Sequence, residues 1–281
     1  MKLVDYKSLE EKGEIFKSSG YLRIDTVASF CDWFEAFPKE KMLFRGVKEA
    51  KYKIYTSAQR LYITHDLALS GRTVEDIVEE TLKQVKQIDN GLLKKYFSLL
   101  DVIDHDMLYL SFLQHYSGIS PLIDFTTSIE KALFFMQEGV AYSDVGEDGI
   151  DNYSSLYYKF QSPKPRNLKS LPEQDIRDTF SFSRMYQNAR SIVFQSEQIN
   201  VDSPKKCSFA NLNLVAQDGR FLFYSDGTNP LEENISCVDI HKSLAPYIKK
   251  TLEEKGITKE SIYPQEETIA KMALQRALEN I

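Results

Sequence analysis

The chain has 281 residues, 42% hydrophobic and 27% charged, which is ample material for a core and excludes a mainly disordered protein. Its net charge of −6 has the wrong sign for general nucleic-acid binding, which depends on neutralising phosphates over a broad surface. Cys31, Cys207 and Cys237 are widely spaced, form no metal-ligand or disulfide pattern, and read as thiols of a reducing compartment.

Residues 1–25 read as a loosely docked lead-in with one short strand at 21–24. Asp25 or Thr26 can cap a helix whose apolar positions Val27, Phe30, Trp33, Phe34 and Phe37 share one face, and Pro38 ends it. Residues 42–46 have the pattern of a short buried strand with Arg45 near its exit. Thr73, with Asp76 as its capping partner, opens a long amphipathic helix through Val78, Leu82, Val85 and Ile88. A second helix, 106–116, is apolar almost all round and belongs deep in the core.

Gly118 and Pro121 interrupt the helical pattern. Residues 124–128 lead into a helix over 129–136, with Thr127 and Glu130 at capping-box spacing. The glycine- and carboxylate-rich stretch 139–155 reads as an exposed surface loop. From there the periodicity alternates, predicting strands at 156–160, 191–194, 212–215, 220–224 and 235–240, with a hairpin turn at Asp218-Gly219. Helices over 243–255, closed by Gly256, and over 266–279 end the chain. The fold class expected is α+β, with a helix-rich first half, mostly antiparallel strands in the second and C-terminal helices, forming a single domain over 26–281.

No apolar run approaches the roughly 18 residues of a membrane span, and residues 1–6 lack the layout of a signal peptide. The histidines His65, His105, His115 and His241 have no companions at ligand spacing. The expectation is a cytoplasmic protein with no metal and no membrane partner. Walker-type loops, nucleophile elbows and dinucleotide glycine fingerprints are not found in the sequence.

Arg45 is the most informative residue. A guanidinium set in an apolar strand must be compensated, and either Asp124 or an anionic ligand can do so. Gly46 beside it permits a close approach by backbone or ligand. Gln114 and His115 end the buried helix, where a histidine is either a satisfied core residue or a pocket residue. Asp124, Thr126 and Thr127 precede a helix start, where capping explains them and where exposed amides could also hold an anion. Gln217 fits turn chemistry, and Glu197 fits an exposed position.

The segments Leu43-Phe44-Arg45-Gly46, Gln114-His115-Tyr116-Ser117-Gly118-Ile119, Leu122-Ile123-Asp124-Phe125-Thr126, Ala132-Leu133-Phe134-Phe135 and Ala216-Gln217-Asp218-Gly219-Arg220-Phe221 together resemble the FRG domain family. Leu252 to Ile257 and Ser261 to Pro264 extend the likeness, over roughly residues 28 to 275. Val47 stands where that family usually has glutamine, and Asn211 and Asn213 stand where it usually has an arginine. The resemblance carries no settled biochemical activity with it.

A second likeness is to ADP-ribosyltransferases of the arginine type, through the order Arg45, then Thr126-Thr127-Ser128, then Glu197 or Gln217. That likeness implies NAD as cofactor, with Arg45 on the pyrophosphate, the hydroxyl near the ribose and a late carboxylate or amide at the reacting centre. The expected function is a polar pocket for a small, nucleotide-like anionic ligand, with Arg45, Thr126, Glu197 and Gln217 as catalytic candidates. Arg45, Gly46, Gln114, His115, Asp124 and Thr127 are the ligand-binding candidates. The alternative is a sensing or protein-interaction module in which the same side chains form a structural network.

Overall fold

A computed structural model of the chain describes residues 2–116, 118–142, 148–161, 172–188, 191–195 and 212–265. Its strands are β1 (Tyr21–Ile24), β2 (Met42–Val47), β3 (Leu122–Thr126), β4 (Tyr153–Phe160), β5 (Ser191–Gln195), β6 (Gly219–Tyr224) and β7 (Ser236–His241). They form one seven-stranded sheet in the order β1-β7-β4-β2-β3-β6-β5. β1 lies parallel to β7, and the other neighbouring pairs are antiparallel. The helices are α1 (Leu9–Phe16), α2 (Val27–Ala36), α3 (Ser57–Thr64), α4 (Val74–Leu99), α5 (Asp106–Tyr116), α6 (Ile129–Gln137), α7 (Glu173–Thr179), α8 (Phe182–Asn188), α9 (Leu212–Ala216), α10 (Ala245–Glu254) and α11 (Lys259–Ile262). The fold class is α+β.

Alternation along the strands distributes the core. Phe44, Leu156, Val238 and Ile240 pack with Phe30 of α2, Leu133 and Met136 of α6 and Ile248 of α10. Their sequence neighbours Leu43, Tyr157 and Cys237 pack instead with Tyr6, Leu9 and Phe16, so α1 covers a second apolar layer. A third cluster joins α4, α5 and α7 to Leu122, Phe221 and Phe223. The amino-terminal residues are therefore not loosely docked. Tyr6, Lys12 and Phe16 are buried, and the Lys12 ammonium donates to the Ala50 carbonyl at 2.9 Å, Ser155 Oγ at 2.6 Å and Asp239 Oδ1 at 2.6 Å.

Local chemistry sets the helix starts. Thr26, rather than Asp25, caps α2, because Asp25 is held by Arg23 Nε at 2.9 Å and the Tyr153 hydroxyl at 2.5 Å. Thr73 and Asp76 form the expected capping box of α4, which breaks at Ile88–Gly91, where Asp89, Asn90 and Gly91 take positive φ. At α6 the cap is Ser128, which accepts from the Lys131 amide at 3.2 Å, and not Thr127.

Three other expectations need correction. Residues 122–126 are a strand, so Asp124 sits in mid-strand and is not a helix cap. Residues 212–216 are helical, and Asp218, with a φ of 46°, turns the chain from α9 into β6, so the predicted hairpin does not form. The stretch 139–155 is only partly an exposed loop, since Ile150 packs inward and β4 begins at the buried Tyr153, Ser154 and Ser155. Cys207, Glu197 and the helix expected over 266–279 lie outside the described residues.

Candidate functional site

The sheet is least regular at its centre. β2 and β4 share six registered pairs and β3 and β6 share five, but β2 and β3 share only Phe44 with Thr126. Beyond that pair the two strands splay, and Arg45 stands where the ladder would have continued. Its Nη1 donates to the Asp124 main-chain carbonyl at 2.7 Å, replacing a strand-to-strand bond with a side-chain bond. The Asp124 carboxylate is farther off, with Oδ2 at 4.0 Å from Arg45 Nη1. Arg45 and Asp124 are thus within direct reach, through the backbone more than through an ion pair.

At this split lies a cleft of about 370 Å³. Arg45, Gly46, Gln114, His115, Asp124, Thr126 and Gln217 line it, together with Phe135, Asn213, Arg220 and Tyr263. β2 contributes Arg45, the last turn of α5 contributes Gln114 and His115, and β3 contributes Asp124 and Thr126. The turn after α9 brings Gln217, β6 brings Arg220, and the residue after α11 is Tyr263. Thr127 does not line the cleft; its amide donates to the Asp218 carbonyl at 3.2 Å.

The bonds within the cleft separate side chains that are already engaged from those that are not. Gln114 Nε2 donates to Asp124 Oδ2 at 2.7 Å. The Thr126 hydroxyl donates to the Gln217 carbonyl at 2.7 Å and accepts from the Ser128 amide at 3.0 Å, so it ties β3 to the turn before β6. Gln217 Nε2 reaches the Ile262 carbonyl at 3.3 Å, and the Tyr263 hydroxyl donates to Glu138 Oε2 at 2.7 Å. Against these, four buried polar atoms of the lining have no hydrogen-bond partner among the described residues: Arg45 Nε, Arg220 Nε, Gln114 Oε1 and His115 Nε2. An unpaired buried polar group costs about 1–3 kcal/mol, so a concentration of them in one cleft calls for a functional account.

The charged side chains lining the cleft are two guanidiniums and one carboxylate. Burial lowers the pKa of Arg45 and of Arg220 from the ordinary arginine value, opposed by Asp124 in the first case and by Asp218 in the second. Both stay cationic, since arginine titrates far above neutral pH. Burial also lowers the pKa of His115, with Asp124 opposing, so the imidazole is neutral at pH 7.

Gly46 lines the cleft and also makes one of the two close approaches expected of it, that of backbone. A Cβ there would stand 1.9 Å from the Ala132 carbonyl oxygen and 2.6 Å from the Met136 amide nitrogen. The close approach it permits is that of the α6 backbone on β2. Reading the sequence missed Arg220, Phe135 and Tyr263 as site residues. Arg220 had a usable signal, a guanidinium at the start of an apolar strand, the same context that singled out Arg45. The other two look like ordinary core aromatics in sequence.

A family model described as the FRG domain matches residues 40–144, and the chain carries an FRG domain over that segment. No curated protein and no solved structure matched the chain. The matched segment supplies β2 and β3 at the centre of the sheet and the cleft residues from Phe44 to Phe135, while Gln217, Arg220 and Tyr263 come from beyond it. No helix of the described residues is long and apolar enough to cross a membrane. Among the described residues no group of three or more His, Cys, Asp or Glu side chains is placed to hold a metal ion.

Proposed function

We propose that this FRG-domain chain uses the cleft between β2 and β3 to bind a small, nucleotide-like anionic ligand in the cytoplasm. The observation that carries the reading is the convergence of Arg45 and Arg220, each with an unpaired Nε, beside a single carboxylate. Guanidinium edges suit phosphate or carboxylate oxygens, and a partly desolvated site strengthens that attraction. Gln114 Oε1 adds an unpaired acceptor, so the ligand presents hydroxyl or amino donors as well as anionic oxygens. Phosphorylated sugars and nucleotides combine both.

NAD-dependent transfer is the finer version of this reading. Arg45, Thr126 and Gln217 do share the cleft, in the order the transferase likeness implies. Two features weigh toward binding without transfer. The Thr126 hydroxyl is committed to Gln217 and Ser128, and the neutral Gln217 amide cannot supply the charge a carboxylate would. Comparing Glu197→Gln and Gln217→Ala for NAD turnover tests it, and only a selective loss of turnover with binding retained supports transfer.

A second reading, a structural network inside an interaction module, draws support from the Arg45–Asp124 and Gln114–Asp124 bonds. The two are separated by a thermal-shift series on the intact chain with inorganic phosphate, ADP and NAD. A ligand at 100 times its dissociation constant stabilises the fold by about 2.7 kcal/mol. The binding reading expects a saturable upward shift with at least one of these, abolished in Arg220→Ala. No shift with any of them leaves the structural module.

A further inference from the structure

Besides its two arginines, the cleft is lined by an aromatic pair. Phe135 of α6 and Tyr263 meet with ring centroids 6.2 Å apart and planes at 71°, edge to face. Both rings are half-buried and both line the cleft. Their positions are fixed from behind. Tyr263 is held through its hydroxyl to Glu138, Ile262 before it is fully buried, and the Ile262 carbonyl accepts from Gln217. An edge-to-face pair makes a corner, in which a planar ring can lie on one aromatic face with its rim against the other.

From this arrangement we infer that the cleft takes a single nucleotide, with its base in the Phe135–Tyr263 corner and its phosphate on Arg45 and Arg220. The inference rests on the anion-binding reading and adds to it a base subsite and a limit on size. A volume of about 370 Å³ is at the small end of ligand pockets, which run to about 1,000 Å³. That volume has room for one nucleoside phosphate, and the inferred site includes no subsite for the second half of a dinucleotide such as NAD. Asp124 and Gln114, joined by a hydrogen bond of 2.7 Å, line the same cleft, where their acceptors suit the hydroxyls of a ribose. The rigid anchoring of Tyr263 makes the corner preorganised, so stacking is gained without the cost of ordering a loop.

Base stacking on aromatic side chains contributes roughly 5- to 150-fold in affinity per base. The test is isothermal titration of the intact chain with AMP, GMP, CMP, UMP, ribose 5-phosphate and NAD, repeated on Tyr263→Phe and Tyr263→Ala, with thermal melts to confirm folding. At least one nucleoside monophosphate is expected to bind ten times or more tighter than ribose 5-phosphate, with NAD no tighter than that nucleotide. Tyr263→Phe should keep the preference, and Tyr263→Ala should lose it while ribose 5-phosphate binding is unchanged. Equal affinities for ribose 5-phosphate and all four monophosphates would overturn the base subsite and leave the anion site standing. NAD binding ten times tighter than every monophosphate would overturn the single-nucleotide limit. If Tyr263→Ala weakens ribose 5-phosphate as much as the nucleotides, Tyr263 shapes the cleft and does not read a base. Binding of none of the six would remove the anion-binding reading together with this one.

Discussion

Arg45 shows how far a single residue can be read from sequence. Its need for compensation was legible, because an arginine that follows Leu43 and Phe44 in an apolar strand cannot be left unpaired. The form of that compensation was not, since a main-chain carbonyl carries no sequence signal and only the splay of β2 from β3 makes the Asp124 carbonyl available. His115 illustrates the converse. Its neutrality follows from burial, and the sign of the pH effect follows from the lowered pKa. Below the unfolded value of about 6.5 the unfolded chain takes up a proton that the native imidazole resists. The stability present above that pH is therefore lost as pH falls toward the native pKa. Urea unfolding between pH 7.5 and 5 should show a shallower loss for His115→Gln than for the parent, and equal slopes would show that His115 does not titrate against the fold.

At the scale of elements, helices with caps and stripes were readable and the pieces that build the cleft were not. Thr73 with Asp76 fixed the start of α4 because capping is local chemistry. β3 carries little strand signal because its five residues, LIDFT, do not alternate cleanly around the aspartate, and because the adjoining Thr127-Ser128 has the pattern of a helix start. α9 has the sequence pattern of a strand because LNLVA alternates over too few residues to separate the two periods. Gly46 ties two elements together. Its missing side chain lets α6 lie directly on β2, and Gly46→Ala would drive a methyl group into the Ala132 carbonyl. Backbone cannot swing aside as a side chain can, so the substitution should cost about 3 kcal/mol, the upper end of ordinary overpacking, in chemical denaturation. A loss below about 1 kcal/mol would mean that α6 is free to shift.

For the whole molecule, the class was evident from the sequence and the closure was not. One sheet takes β1 from the amino-terminal segment and β7 from near the carboxyl end and pairs them in parallel, a long-range contact that no local pattern announces. Beneath them Lys12 of α1 meets Asp239 of β7 with both side chains fully buried. Reading residues 1–25 as a lead-in overlooked this, because a lysine at position 12 reads as a solvent-facing residue until its partner 227 positions away is known. Removing one member of a buried pair typically costs about 3–5 kcal/mol. Lys12→Met should destabilise the chain by about that much, and Lys12→Met with Asp239→Leu should recover part of it. A Lys12→Met variant as stable as the parent would show that α1 is only a loose cover.

At the split between β2 and β3, Arg45 and Arg220 form the proposed hold on an anionic ligand. That hold is tested by a paired measurement on Arg45→Lys, which keeps the charge but loses the fork: unfolding free energy, and ADP affinity by titration. The expected result is a stability change within about 1 kcal/mol, because among the described residues this side chain makes one hydrogen bond, to the Asp124 carbonyl, and Lys keeps the charge that faces the Asp124 carboxylate, together with at least a tenfold loss of ADP affinity. A stability loss of about 3 kcal/mol or more, with ADP binding absent from the parent as well, would instead make Arg45 a strut of the sheet.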